Sequence, residues 1–294
     1  MPEGDTIFRA ARTLHRALAG QVVTRFESAL PRLERVEVDS GVTGRTVEKV
    51  EARGKWLLIY FTGDLILLTH MLMSGDWHIY RPGEKWKRRA ADMRIVIRTE
   101  KIDAIAFTVP IAEFHTEASL RRRRVFNQLG PSVLADGHEY DSAEILRRLR
   151  SHPELEIGEA LLSQSLLAGI GNVYKSEICF ACGIHPFRLV GSLSISELSS
   201  VVAAARKFLL ANVTSTSGGK IVTYTAIRRT TGRTDRDENL WVYRRTGEPC
   251  RRCGASIESR KQGLDARTTF WCANCQPLES SAAARPSVRA TTAG

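Results

Sequence analysis

The sequence predicts a multidomain α+β protein: an N-terminal helix with a β-sandwich, then a helical domain, then a small four-cysteine zinc finger hairpin. Three observations predict it. β-rich runs separated by turn residues follow one short amphipathic helix, with no helical period between them. From about residue 140 the hydrophobic period becomes helical. Near the end of the chain, four of the 6 cysteines fall into two Cys-x2-Cys pairs. A length of 294 residues is also too great for one ordinary core, since domains run to roughly 100–200 residues.

Each element has its own warrant. Ile7, Ala10, Ala11, Leu14 and Leu18 recur at helical spacing, with Asp5 as a possible N-cap and Gly20 as the stop, so a helix is expected over 5–19. Strand-like runs follow at 21–30, 44–50, 55–61, 64–71, 76–80, 93–98 and 102–109. Strands in such series suggest a sandwich, which assigns 1–130 to the first domain. Helical patterns at 142–150, 157–171, 172–183 and 194–212 assign 131–246 to the second. Residues 247–277 are short, polar and bounded by cysteines, and 278–294 have a disorder-prone composition.

Apolar residues make up 43% of the chain and charged residues 26%, a composition of soluble globular proteins. No apolar run approaches the roughly 18 residues of a membrane span. The opening MPEGDTIFRA carries Glu3 and Asp5 where a secretory signal has a basic start and an apolar core. A soluble protein of the cytoplasm or nucleoid is expected, without a membrane partner. The 43 Lys and Arg against 32 Asp and Glu leave a net charge of +11, which suits a polyanion and makes nucleic acid the first candidate. A basic surface kept for solubility is the competing reading, so motifs must decide.

Cys250-x2-Cys253 and Cys272-x2-Cys275 have the spacing of a four-thiolate zinc ribbon. Two knuckles present two sulfurs each, and the residues between them form a hairpin too small to hold without metal. Two disulfides are disfavoured in a chain lacking a secretory signal. Four protein ligands leave no open position, so one structural Zn²⁺ is expected. Cys179 and Cys182, followed by His185, lie at i and i+3 of an apolar helix and read as buried thiols rather than a second metal site.

Removal of Met1, usual before a small residue, would leave Pro2 with a secondary amine. An α-amino group has a pKa of about 8, so part of it is unprotonated near neutrality and can condense with an aldehyde carbon to an iminium. Glu3 stands next to it as a proton carrier.

Four separated motifs occur together: Met1-Pro2-Glu3-Gly4; Arg53-Gly54-Lys55; the run from Leu167 through Gly169-Ile170-Gly171-Asn172 to Tyr174; and the stretch from Arg267 to Cys275. Together they resemble the formamidopyrimidine-DNA glycosylase and endonuclease VIII family, over nearly the whole chain from Pro2 to about Gln276. Gly4, in place of the leucine usual in the formamidopyrimidine branch, makes it look closest to the endonuclease VIII branch. The resemblance implies a β-sandwich joined to a helix–two-turn–helix domain and a zinc finger, with damaged duplex DNA in the cleft between them. It further implies a monomer that needs no nucleotide cofactor.

The residue roles follow from the same resemblance. The matching proline attacks C1′ of the damaged nucleotide, the glutamate shuttles protons, and the Schiff base undergoes β- and then δ-elimination; these roles fall to Pro2 and Glu3. Lys55 matches a lysine that contacts phosphate beside the lesion, with a surface turn lysine as its plain alternative. Asn172 matches a phosphate-binding asparagine, although asparagine also caps helices well. Arg267, expected in the turn of the zinc hairpin, matches an arginine that grips phosphates around the flipped nucleotide. Met73 matches an intercalating residue that fills the gap left by the extruded base, whereas Met71 is expected to pack inside.

The chain also departs from the pattern. Asp5-Thr6 stands where endonuclease VIII typically has Pro-Glu, so a second carboxylate is absent unless Asp5 replaces it. Leu72, Met73 and Ser74 replace polar and aromatic gap-filling residues, and the four arginines at 121–124 read as a solvated face that could also meet phosphate. Excision of oxidised pyrimidines with strand cleavage is the leading function. Excision of oxidised purines is the alternative enzyme reading, and a non-catalytic DNA-binding protein the alternative class, disfavoured by Pro2, Glu3 and Lys55 being intact.

Overall fold

The computed structural model describes residues 2–135, 140–214, 230 and 240–278. It opens with helix α1 (Gly4–Leu18), whose Ile7, Ala10, Ala11, Leu14 and Leu18 are all buried, as their spacing requires. Eight strands follow: β1 (Arg25–Ser28), β2 (Val47–Arg53), β3 (Trp56–Phe61), β4 (Leu65–His70), β5 (Asp76–Tyr80), β6 (Met93–Arg98), β7 (Asp103–Phe107) and β8 (Ile111–His115). They form two four-stranded antiparallel sheets, β2-β3-β4-β8 and β1-β6-β7-β5.

One core lies between these sheets. Leu57, Ile59, Phe61 and Leu67 face Trp77, Ile95, Ile97, Ala104 and Ala106, and α1 lays its apolar stripe into the same cluster. The opposite face of β3 and β4 is not solvated. Leu58, Tyr60, Ile66 and Leu68 are covered by Leu120 with Trp56 and Phe126, which is why these strands read as unbroken apolar runs rather than alternating ones.

Three elements of this region differ from the sequence expectation. Helix α2 (Pro31–Ser40) follows β1, opened by Pro31 and burying only Leu33, so its period was too weak to read. Strand β8 pairs with β4 as an edge strand with every residue half-exposed. Of the arginines at 121–124, Arg121 and Arg122 end α3 (Glu117–Arg122), Arg124 opens α4 (Arg124–Asn127), and Arg123 caps the junction between them. Arg123 is not solvated there: it pairs with Glu113 and lies over the Trp56 ring.

Helices α5 (Ser142–Arg150), α6 (Ile157–Leu162), α7 (Asn172–Cys182) and α8 (Ile195–Thr214) build the second core. Helicity expected through Gly171 stops at Leu162. Residues 163–171 instead form a loop held by Gln164, which accepts the Gly169 N–H at 3.1 Å and donates to the carbonyls of Leu162 and Ile170. Strands β9 (Ile257–Gln262) and β10 (Arg267–Cys272) make the C-terminal hairpin. Its apolar side, with Ile257 and Phe270, packs on Phe180 of α7. Residues 279–294 of the disorder-prone tail lie outside the described residues. No described helix is long and apolar enough to cross a membrane.

Candidate active site

The loop and helix start at 168–172 are where the separated motifs meet. The Gly4 N–H donates to the Gly169 carbonyl at 2.7 Å. The backbones are so close that a Cβ on Gly4 would lie 2.6 Å from Gly169 Cα, so only glycine fits. Glu3 is fully buried and seats its carboxylate on the start of α7. It accepts the N–H groups of Gly171 at 3.1 Å, Val173 at 2.9 Å and Tyr174 at 3.3 Å. These are the orphan amides of a helix N-terminus, a position that favours an anion. Pro2, also buried, is thereby fixed at the same junction. Asp5, expected as the N-cap, is instead buried in the first turn of α1 because Glu3 holds the cap position, and Thr6 Oγ1 donates to it at 3.4 Å.

Lys55 arrives from the sandwich. Gly54, at φ +60°, turns β2 into β3, and a Cβ there would touch Leu129 and Ala168. The turn that carries Lys55 therefore abuts Ala168 while Gly4 abuts Gly169. Across the β3–β4 pair, Trp56 is registered with His70 and meets its ring edge-on. Burial first, and Lys55 second, push the His70 imidazole down to about 4, so its Nδ1 is a standing acceptor for the Leu72 N–H at 3.1 Å. That bond holds Leu72 at φ +45°, a strained conformation for a leucine. The result is an apolar finger. Met71 is 2% exposed and packs in the core, while Leu72 is 41% and Met73 65% exposed.

Asn172 is the first residue of α7, as expected, but Gly171 occupies the N-cap position. The Asn172 amide is turned to the zinc hairpin, its Nδ2 donating to the Thr268 carbonyl at 2.8 Å. Arg267 proves to be the first residue of β10, paired with Gln262, rather than a residue of the turn. Gly263 at φ +67° and Ala266 at φ +48° complete the reversal before it. Arg267 is exposed beside Thr268.

Two features of this junction escaped the sequence reading. Lys175, one turn along α7, is fully buried and donates to Thr269 Oγ1 at 2.5 Å. Thr269 in turn donates to Gln262 Oε1 at 2.7 Å, and Gln262 Nε2 donates to Glu156 and the Pro186 carbonyl. Burial brings the Lys175 ammonium down to about 8. Glu177 is likewise buried and accepts the N–H groups of Trp241, Val242 and Tyr243. In the sequence both look like solvent-facing charges of an ordinary helix; the docking of the hairpin on α7 reveals Lys175, and the backbone of residues 241–243 reveals Glu177.

The sulfurs of Cys250, Cys253, Cys272 and Cys275 lie within 4.8 Å of one another. Cys250 and Cys275 Sγ are 3.9 Å apart, and Cys253 and Cys272 Sγ 3.5 Å. Tetrahedral zinc with Zn–S bonds near 2.3 Å needs sulfurs about 3.8 Å apart, so the donor set and its spacing fit one structural zinc. Cys179 packs in the helical core and Cys182 at its edge, burial pushing their thiols up to about 12 and about 11. His185 packs among Phe187 and Trp271.

Three family models match the chain in turn. Residues 1–110 match the formamidopyrimidine-DNA glycosylase N-terminal domain, 129–223 its H2TH domain, and 247–278 the zinc finger found in FPG and IleRS. The chain belongs to the formamidopyrimidine-DNA glycosylase and endonuclease VIII family. It is thus a DNA-repair enzyme of the glycosylase and abasic-site lyase class, with one structural zinc. It is 40% identical to the probable endonuclease 8 2 of Streptomyces coelicolor, over 94% of each chain. It is 35% identical to the DNA-(apurinic or apyrimidinic site) lyase Nei2 of Mycolicibacterium smegmatis, over 94% of this chain and 99% of that one. In fold it matches Lactococcus lactis Fpg in complex with DNA containing an abasic site. The TM-score is 0.75 at 24% identity, covering 94% of this chain and 99% of that chain.

Proposed function

We propose that this protein excises oxidised pyrimidines from duplex DNA as a monomer and then cuts the strand by β,δ-elimination, with Pro2 as the covalent nucleophile. The observation that carries the reading is the convergence at 168–172. Gly4 and Glu3, next to Pro2 in the chain, are joined to Gly169 and Gly171, the Lys55 turn abuts Ala168, and Asn172 reaches the strand that carries Arg267. A nucleophile, a proton carrier and three phosphate contacts thus come from three domains, which we place at 1–130, 131–246 and 247–277.

The chemistry balances on these groups. The Pro2 nitrogen forms a bond to C1′, the glycosidic bond breaks, and the base leaves with the electron pair and a proton. Opening of the sugar ring gives an iminium, in which loss of a C2′ proton expels the 3′ phosphate. A second elimination expels the 5′ phosphate. Glu3, fixed by three amides, carries protons between the amine and the sugar. Lys55, the second hydrogen of the Asn172 amide, and Arg267 receive phosphates, while Met73 fills the vacated stack.

The pyrimidine preference rests on Gly4 and on relatives named endonuclease 8. A panel of duplexes bearing thymine glycol, 5-hydroxycytosine, 8-oxoguanine or a formamidopyrimidine tests it. Faster release of the two pyrimidines, with phosphate at both new ends, is expected; preference for the purines, or an unsaturated sugar left at the 3′ end, would refute it.

A further inference from the structure

The loop between β5 and β6 is rich in cations and unusually well anchored. Arg81, Lys85, Lys87 and Arg89 are exposed within residues 81–92, against Glu84 and Asp92 of opposite sign. A charged loop on a surface is ordinarily just solvated. This one is pinned at three points to the outer face of the second sheet. Trp86 packs edge-on against Phe107, the Lys87 N–H donates to Tyr80 Oη at 3.1 Å, and Arg88 Nη2 meets Asp76 Oδ2 at 2.8 Å. Behind them His78 bridges Asp76 and Tyr80, at 3.1 and 2.9 Å. Asp76 is 4% exposed, and its Oδ1 has no hydrogen-bond partner. Burying that carboxylate is unfavourable without a paired cation, so Arg88 is held to it and the loop with Arg88.

Asp76 is also where the apolar finger ends. Residues 71–75 leave β4 at His70, beside Lys55, and enter β5 at Asp76, beside Arg88. The finger root is tight, because a Cβ on Gly75 would lie 3.0 Å from Val109 Cα, in the turn after β7. The Thr108 N–H in that turn donates to the Asp92 carbonyl at 2.8 Å, which closes the basic loop onto the same spot. One cation, Lys55, thus stands at one end of the Leu72–Met73 finger, and a preorganised group of cations stands at the other.

We propose that loop 81–92 is a second phosphate-binding surface, which takes the backbone of the strand opposite the lesion. This rests on the duplex-cleaving function proposed above. With the finger in the duplex and Lys55 on the damaged strand, phosphates reached from the Asp76 end lie across the finger, on the other strand. Lys85 and Lys87 supply the charge at the surface, and the Asp76–Arg88 pair sets where it stands.

The test is the salt dependence of binding by the full-length zinc-loaded protein carrying Lys85→Glu with Lys87→Glu, both exposed side chains. The probes are a duplex holding a tetrahydrofuran abasic analogue, which has no C1′ hydroxyl and so forms no imine, and the same strand alone. For two phosphate contacts the slope of log affinity against log salt on duplex should flatten by about 1.8, and the loss on duplex should exceed that on the single strand at least tenfold. Equal loss on both probes, or none on either, would overturn the assignment. Arg32→Glu with Arg35→Glu on α2 makes the same charge change elsewhere and should leave the duplex slope unchanged; an equal flattening would reduce the effect to net charge and also overturn it. Borohydride trapping by the unsubstituted protein on a duplex with a true abasic site is read alongside. Absence of an adduct would overturn the glycosylase reading, while the slopes would still decide the loop.

Discussion

Glu3 and Gly171 are locked together: the Glu3 carboxylate accepts the Gly171 N–H at 3.1 Å, and a Cβ on Gly171 would lie 2.7 Å from Glu3 Oε1. The carboxylate that belongs to the first domain is therefore positioned by the second. Gly171→Ala should displace Glu3 by several tenths of an ångström to an ångström without emptying any core. Misplacement on that scale costs on the order of 10²-fold in rate. Single-turnover base excision by a variant with unchanged thermal unfolding checks this, and wild-type excision would show that the Glu3 seat is not needed.

Glu3→Gln keeps one of the two oxygens that accept the α7 amides and removes the proposed proton carrier. Base release should fall by about 10²–10⁴-fold, the usual contribution of general acid–base catalysis. Cutting at a preformed abasic site, where no base has to leave, should persist. Parallel time courses on lesion and abasic duplexes measure the split, and equal loss on both would contradict it.

Lys175 gives a pH signature. Its pKa is lowered from 10.5 to about 8 in the folded protein, first by burial, so between those values the unfolded chain holds more protons. Stability should therefore rise as pH climbs from about 8 towards 10.5, by up to ~3 kcal/mol from this group. Below pH 8 the buried cation exerts its full unfavourable effect. Lys175→Met should abolish the rise, and urea unfolding at pH 7 and pH 9.5 reads it. A rise of equal size in the variant would assign it to other groups.

Much of this architecture is legible in the sequence because its signals are local. The stripe Ile7, Ala10, Ala11, Leu14, Leu18 needs only helical spacing, and the two Cys-x2-Cys knuckles need only thiolate chemistry. Helix α6 ends early for a reason no local pattern contains: 163–171 must leave the helix so that Gly169 and Gly171 can receive Gly4 and Glu3. Arg123 looks solvated in the sequence because its partners Glu113 and Trp56 come from other strands. The position of Asn172 at the start of α7 is legible from the glycine turn before it, but its bond to Thr268 spans 96 positions and leaves no local signal.

The zinc hairpin should behave as a grip separable from the chemistry. Structural zinc contributes on the order of 10 kcal/mol to folding such hairpins, so Cys275→Ser should disorder β9 and β10 and release Arg267 from beside Asn172. Arg267→Ala should retain zinc, weaken DNA binding and flatten the salt slope by about 0.9 for one phosphate. Zinc content and affinity against salt distinguish the two variants. Unchanged affinity in Arg267→Ala would remove that residue from the phosphate contacts.

The nucleophile is tested most directly by borohydride reduction on an abasic-site duplex, because only an imine between amine and sugar is reduced to a stable adduct. The protein with Met1 removed should give a covalent complex whose N-terminal peptide carries the sugar on Pro2. A form in which Met1 is retained behind a tag, so that the Pro2 nitrogen is locked in an amide, should bind the same duplex and give little or no adduct. Full crosslinking by the tagged form, or an adduct mapped to Lys55, would contradict the account.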